Sequence, residues 1–215
     1  MKPAKERITD IIKILRREYP GPATALGRRS AFELLVSTIL SAQCTDERVN
    51  KITPHLFKKY KTPGDFARVK QAVLEKEIYS TGFYKNKAKN IIAASKRILE
   101  EFGGRVPDTM DALTSLPGVA RKTANIVLSS SFRKAEGIAV DTHLKRLSGR
   151  IGLSTESDPN KIEKDLMKII PQRGWLDFNY LLVEHGRKVC AARKPSCAEC
   201  VIKHLCPSAK KFCPK

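Results

Sequence analysis

Four clustered cysteines, one lysine just after a tight turn and one aspartate before an amphipathic run are the residues of this chain whose types and spacing can do chemistry. In "CAARKPSCAECVIKHLC", Cys190, Cys197, Cys200 and Cys206 follow a C-x6-C-x2-C-x5-C pattern. Four thiolates on so short a loop can wrap one metal centre, either a structural zinc or a [4Fe–4S] cluster, and ligand chemistry alone leaves both open. In "LPGVARKTANIVL", Pro117 and Gly118 make a turn before Arg121, Lys122 and a helical run. A cation at a helix N-terminus opposes the macrodipole, and the neighbouring Arg121 adds like charge. Both effects favour the neutral amine of Lys122, and a neutral amine is a nucleophile. In "GIAVDTHLKR", Asp141 can be a helix N-cap, a carboxylate that moves protons and stabilises positive charge, or both.

The bulk composition narrows what such groups would act on. Lys and Arg number 41 against 22 Asp and Glu, a formal net charge of +19. That excess is more than solubility requires and points to a polyanion, nucleic acid foremost. The amides of Gly118, Val119, Ala120 and Arg121, at the turn and the start of the next helix, can then bind a phosphate; a plain corner between two helices is the alternative. No stretch approaches the roughly 18 apolar residues of a membrane helix, and "MKPAKERITD" lacks the apolar centre of a signal peptide. The expectation is a cytoplasmic, nucleoid-associated protein with no signal or transit peptide, whose thiols are reduced rather than paired.

Helices must position these groups. "ERITDIIKILRREY" places Ile8, Ile11, Ile12 and Leu15 on one stripe, and Ser30 with Glu33 forms a capping-box pattern before an apolar run. Further helices are expected over 47–60 (broken or restarted at Pro54), 63–69, 71–78, 85–102, 110–115, 121–132, 140–149, 159–170 and 175–189. Nothing alternates with period two, so the fold class is all-α. On the 121–132 helix, Lys122, Asn125 and Ser129 share a face apart from the small apolar one. After Cys190 apolar periodicity is lost, so the tail needs its cysteines to organise it. Cys44 reads as a small helix residue and Cys213 as an exposed tail thiol.

The cysteine spacing, "LPGVARKTAN" and "VDTH", in this order, resemble the endonuclease III family of DNA base-excision glycosylases, and the resemblance runs from about Ile8 to Cys206. It implies a [4Fe–4S] cluster on the four cysteines, a helix-hairpin-helix at Gly118, Lys122 as Schiff-base lysine and Asp141 as catalytic aspartate. His143 falls in the family pattern near the DNA, with a hydrogen-bonding role. "SAQCTD" matches a segment whose glutamine, here Gln43, fills the gap left by a departed nucleotide. "TGFYKNKAKNI" matches a loop with an apolar wedge, here Phe83, although core burial competes for that residue. Lys85, Lys87, Arg193 and Lys194 are candidate phosphate contacts. One departure stands out: Ala120 occupies a place where the family often has glycine.

The implied organisation is two helical domains, 23–134 with the hairpin and 1–22 plus 135–215 with the cluster loop, and a cleft between them for the flipped nucleotide. The implied function is a monomeric, bifunctional glycosylase and abasic-site lyase that removes damaged pyrimidines from double-stranded DNA and cleaves 3′ to the abasic site. A monofunctional mismatch glycosylase, a non-catalytic iron–sulfur DNA-binding protein and an electron carrier are the competing readings. Relatives of the first kind tend to lack a lysine at this place, and a carrier explains neither the hairpin nor Asp141.

Overall fold

The computed structural model describes residues 2–21, 23–27 and 29–212, and among them there are helices and no strands. The chain divides into two compact units, one formed by 1–23 with 134–215 and the other by 24–133. Helix α1 (Ala4–Glu18) belongs to the first and buries the predicted stripe Ile8, Ile11, Ile12 and Leu15. Arg7 is buried on the same helix at 4% exposure.

The second unit holds α2 (Ala31–Leu40), α3 (Asp46–Lys59), α4 (Pro63–Arg68), α5 (Gln71–Ile78), α6 (Tyr84–Phe102), α7 (Met110–Ser115) and α8 (Arg121–Val127). Ser30 caps α2 by accepting from the Glu33 amide, and the Glu33 carboxylate accepts from the Arg29 amide. Because α2 is buried nearly all round, with Phe32 and Leu34–Leu40 inside, it is a core helix, packed against α3, α6 and α8. The break expected at Pro54 does not occur. Val49, Thr53 and Leu56, at i, i+4 and i+7, bury one stripe that runs past the proline and keeps α3 in register. Helix α8 is shorter than expected, because its last turn widens into a π-type turn over Leu128–Phe132. Asn125 is buried at 3% exposure and does not share an exposed face with Lys122.

The chain then returns to the first unit with α9 (Thr142–Ile151), α10 (Pro159–Ile169), α11 (Phe178–Lys188) and the short α12 (Ala209–Phe212). Ile138, Ala139 and Val140, expected in part as helix, are instead buried irregular chain leading into α9. Leu144, Leu147 and Ile151 of α9 join the α1 stripe and Phe178, Leu181 and Leu182 of α11 in one core. Among the described residues no helix is long and apolar enough to cross a membrane.

Candidate functional site

The turn before α8 is fixed by one glycine. Gly118 has φ of +77°, and a Cβ there would lie 2.8 Å from the Asn90 Cβ, so a side chain is excluded both by backbone conformation and by space. Asn90, which sequence reasoning missed, thus packs α6 against the hairpin. Ala120 is the N-cap of α8 at φ −86° and ψ 167°, with no side-chain hydrogen bond to the helix. Nothing in that conformation needs glycine, so the departure at this place is accommodated. Lys122, the second residue of α8, is exposed beside the exposed Arg121. The uncapped start of a helix leaves amide N–H groups to face a phosphate, with a primary amine one residue further along.

Gln43 and Phe83 meet at one cavity of the same unit. It measures about 170 Å³ and is lined by Ile39, Gln43, Phe83, Asn86, Asn90 and Gly118, among others. Both side chains are carried on left-handed backbone, Gln43 at φ 52° and Phe83 at φ 48°. For a bulky residue that region is strained, and such outliers concentrate at functional sites. Phe83 is 64% exposed, so the competing expectation of core burial fails for its ring. Cys44 lies in the bend after α2 rather than within a helix, and packs partly buried against the core.

Lys85 is exposed on α6, but Lys87 corrects an expectation. It is buried at 4% exposure and donates from Nζ to Leu40 O at 2.7 Å and Thr81 O at 2.8 Å. The last carbonyls of a helix have no intrahelical donor, and the ammonium satisfies one of them at the negative end of α2. Burial lowers its pKa, with nearby Cys44 acting the other way. It is not placed to touch a phosphate. The signal was available: Lys87, Ile91, Ala94 and Ile98 recur at helical spacing on the buried face of α6.

In the other unit Asp141 is the N-cap of α9, with Oδ1 accepting from the Leu144 amide at 2.7 Å. The bond orients a half-buried carboxylate by backbone rather than by a flexible partner. His143 stands on the first turn with Nδ1 3.2 Å from Arg146 Nη2. A Cβ on Gly186 would come within 2.7 Å of that ring, so His143 packs tightly against α11.

Cys190, Cys197, Cys200 and Cys206 line one apolar pocket with His185, Val189 and Ile202. Among the described residues no three His, Cys, Asp or Glu side chains converge on the position of a single metal ion. Burial pushes the Cys200 thiol up to about 11, and the Cys206, Cys190 and Cys197 sulfurs push it the same way. Buried thiols of this kind become thiolates readily only when a cation compensates them, which is what a metal centre does.

The loop is held by residues that sequence reasoning missed. Arg150 donates to Cys190 Sγ at 3.3 Å, Ala191 O at 2.7 Å and Ala192 O at 2.6 Å. Arg146, one turn earlier, donates to Cys190 O at 3.0 Å. Buried Arg7 reaches Ile151 O at 3.1 Å and also Leu205 O beside Cys206. Burial lowers His185 to about 4, and its neutral ring lies between Tyr19 Oη at 3.0 Å and Cys200 Sγ at 3.5 Å. Arg193 and Lys194 are exposed on the same loop. Cys213 lies outside the described residues.

The family model described as HhH-GPD superfamily base excision DNA repair protein matches residues 36–172. Over 210 residues the chain is 54% identical to endonuclease III of Synechocystis sp., covering 98% of this chain and 96% of that one. It is 45% identical to endonuclease III of Bacillus subtilis over 194 residues, 90% of this chain and 88% of that one. Among solved structures, the protein of a non-covalent endonuclease III–DNA complex superposes with TM-score 0.91 at 41% identity, with 98% of each chain covered. An endonuclease III trapped as a covalent intermediate with DNA matches at the same TM-score and identity, over 98% of this chain and 99% of that one. The all-helical architecture, the hairpin sequence and these full-length matches agree, and the chain therefore belongs to the HhH-GPD superfamily of base excision DNA repair proteins and, within it, to the endonuclease III family.

Proposed function

We propose that this protein is a bifunctional DNA glycosylase and abasic-site lyase of base excision repair, acting as a monomer on damaged pyrimidines in duplex DNA. The observation that carries the reading is Lys122: an exposed primary amine on the first turn of an uncapped helix, directly after a glycine-fixed turn, in a chain 41% identical to an endonuclease III trapped covalently on DNA. In this reading the hairpin amides bind a backbone phosphate, while Lys85, Arg193 and Lys194 add positive charge along the strand. Gln43 and Phe83 occupy the space left when the damaged nucleotide leaves the stack.

The Lys122 amine, as the free base, attacks C1′ and forms a C–N bond as the glycosidic bond breaks, and the base departs with its electron pair. Asp141 stabilises the positive charge that develops on the sugar and relays the proton that the amine loses to O4′ as the C1′–O4′ bond breaks. The sugar ring opens to an imine between Lys122 and C1′. Loss of a C2′ proton then pushes electrons toward C3′, and the C3′–O bond breaks with the phosphate as leaving group. Water releases the sugar fragment and restores the amine.

The four cysteines fit a [4Fe–4S] cluster in their donor set: four thiols and no carboxylate on one pocket, with an Arg150 N–H directed at Cys190 Sγ. When bound, the cluster supplies a cross-link that organises the tail, and the derived reaction does not pass through it. The test is Lys122→Gln, which removes the nucleophile and no packing contact. The variant should keep duplex binding and lose strand cleavage, together with the adduct that borohydride traps from an imine. A borohydride-stable adduct at wild-type level would assign the chemistry to another amine.

A further inference from the structure

Two non-glycine residues in the left-handed region stand at the rim of one cavity, and a single buried ammonium is bonded to the segments that carry both. Leu40, whose carbonyl accepts from Lys87 Nζ, is the last residue of α2 and lies three residues before Gln43. Thr81, whose carbonyl accepts from the same Nζ, lies two residues before Phe83. The Lys87 amide also donates to Phe83 O at 3.1 Å, closing the first turn of α6 on the wedge residue itself. Gly82 takes φ 68°, which glycine adopts readily, but Phe83 at φ 48° is left-handed against the preference of its residue type, so local preference does not hold this corner.

A buried cation costs free energy unless it is well bonded, and an apolar side chain of similar length would fill the same space without that cost. Packing alone therefore gives no reason for an ammonium here. Its partners are two carbonyls from separate segments rather than a carboxylate, so what the charge contributes is a link between those segments.

We infer that Lys87 is a positioning residue that fixes the separation of the Gln43 and Phe83 segments, so that both side chains enter the duplex as one preformed unit. The inference rests on the reading in which Gln43 and Phe83 occupy the gap beside a displaced nucleotide. Lys87 itself touches no DNA. Its contribution is preorganisation: the two inserted groups reach the stack already spaced, without ordering two loops at the moment of insertion.

The test compares iron-loaded, full-length Lys87→Met with wild type on an undamaged duplex and on the same duplex carrying a tetrahydrofuran abasic analogue opposite 2-aminopurine. Lys87→Met should fold and bind undamaged duplex within about twofold of wild type, because phosphate contacts are intact. It should lose about tenfold or more of the preference for the analogue, and most of the 2-aminopurine fluorescence change, because each inserted group offsets part of the cost of unstacking. A role in stability alone would move the melting temperature and leave both readouts unchanged. Wild-type preference and fluorescence in Lys87→Met would overturn the inference. Should that variant not fold, Lys87→Gln keeps a donor within reach of one carbonyl and should show an intermediate loss; wild-type behaviour there overturns it equally. The Gln43→Ala/Phe83→Ala double variant separates the two levels. If it too keeps wild-type preference, the insertion reading falls and takes this inference with it; if it loses preference while Lys87→Met does not, only the inference falls.

Discussion

Phe83 joins three properties that seldom coincide in one aromatic residue: left-handed backbone, 64% exposure and a place at the N-cap of α6. Replacing it by alanine and by glycine separates backbone strain from ring function. Only about a third of the ring's area is covered, and a fully buried aromatic covers roughly 150–250 Å², so both variants remove roughly 50–90 Å² of contact. At about 25 cal/mol per Å² that is a loss of roughly 1.2–2.3 kcal/mol in each. The strain differs between them. Left-handed backbone costs a residue with a Cβ about 1–2 kcal/mol, which alanine still bears and glycine does not. Against this, glycine's freedom in the unfolded chain costs about 0.5–1 kcal/mol. Glycine is also the better N-cap of the two. Phe83→Gly should therefore be more stable than Phe83→Ala by about 1 kcal/mol, although it removes more atoms. In a chain of this length that is about 2–4 °C in melting temperature. Both variants should lose the preference for an abasic-analogue duplex to a similar degree, because both lack the ring. Differential scanning calorimetry of the purified proteins reads the first effect and competition binding the second. An alanine variant that melts at or above the glycine variant would refute the strain argument. Wild-type preference in either variant would refute the ring's role as a wedge.

The parts of the molecule legible in its sequence are those set by local spacing. Ile8, Ile11, Ile12 and Leu15 declare the buried face of α1, and Ser30 with Glu33 declares the start of α2, because periodicity and capping act within a few residues. The cysteine quartet and the Pro117–Gly118 turn are equally local, and Lys122 stands at a helix start for the same reason. What escaped reading depends on partners distant in sequence. "YKNKAKN" presents three lysines that look alike, and only the stripe shared with Ile91, Ala94 and Ile98 marks Lys87 as the inward one; the carbonyls that hold it belong to Leu40 and Thr81. Neither a glutamine nor a phenylalanine announces positive φ, so the strain at Gln43 and Phe83 follows from how α2 and α6 begin and end, not from residue type. Pro54 misleads for the converse reason: a strong local breaker is overruled by Val49, Thr53 and Leu56 packing into the core. Buried Arg7, at Leu205 O, and the Arg146–Arg150 pair satisfy carbonyls of a tail more than forty residues away, a demand that no short window contains.

Gly118→Ala should destabilise the protein by at least about 1–2 kcal/mol from its φ of +77° alone, before the 2.8 Å approach to Asn90 is counted. Ala120→Gly, at φ −86°, should bring no gain, and calorimetry showing equal melting temperatures for the two variants would contradict this account of the turn. With a net charge of +19, the affinity for undamaged duplex should fall linearly in log Kd against log salt, and Lys85→Ala should make that slope shallower by about one unit. A salt-independent Kd would remove the phosphate reading of the basic surface. Arg150 directs N–H groups at one thiol and two carbonyls, and a hydrogen bond from a charged donor is worth about 1.5–3 kcal/mol; under the proposal that the four cysteines hold an iron–sulfur cluster, Arg150→Met should therefore release iron to a ferrous chelator about tenfold or more faster than wild type. Arg193→Met alters an exposed arginine of the same loop and should release iron at the wild-type rate. Equal rates in all three proteins would mean that the cysteines hold the loop without help from α9, and that the arginine clamp has no part in retaining the cluster.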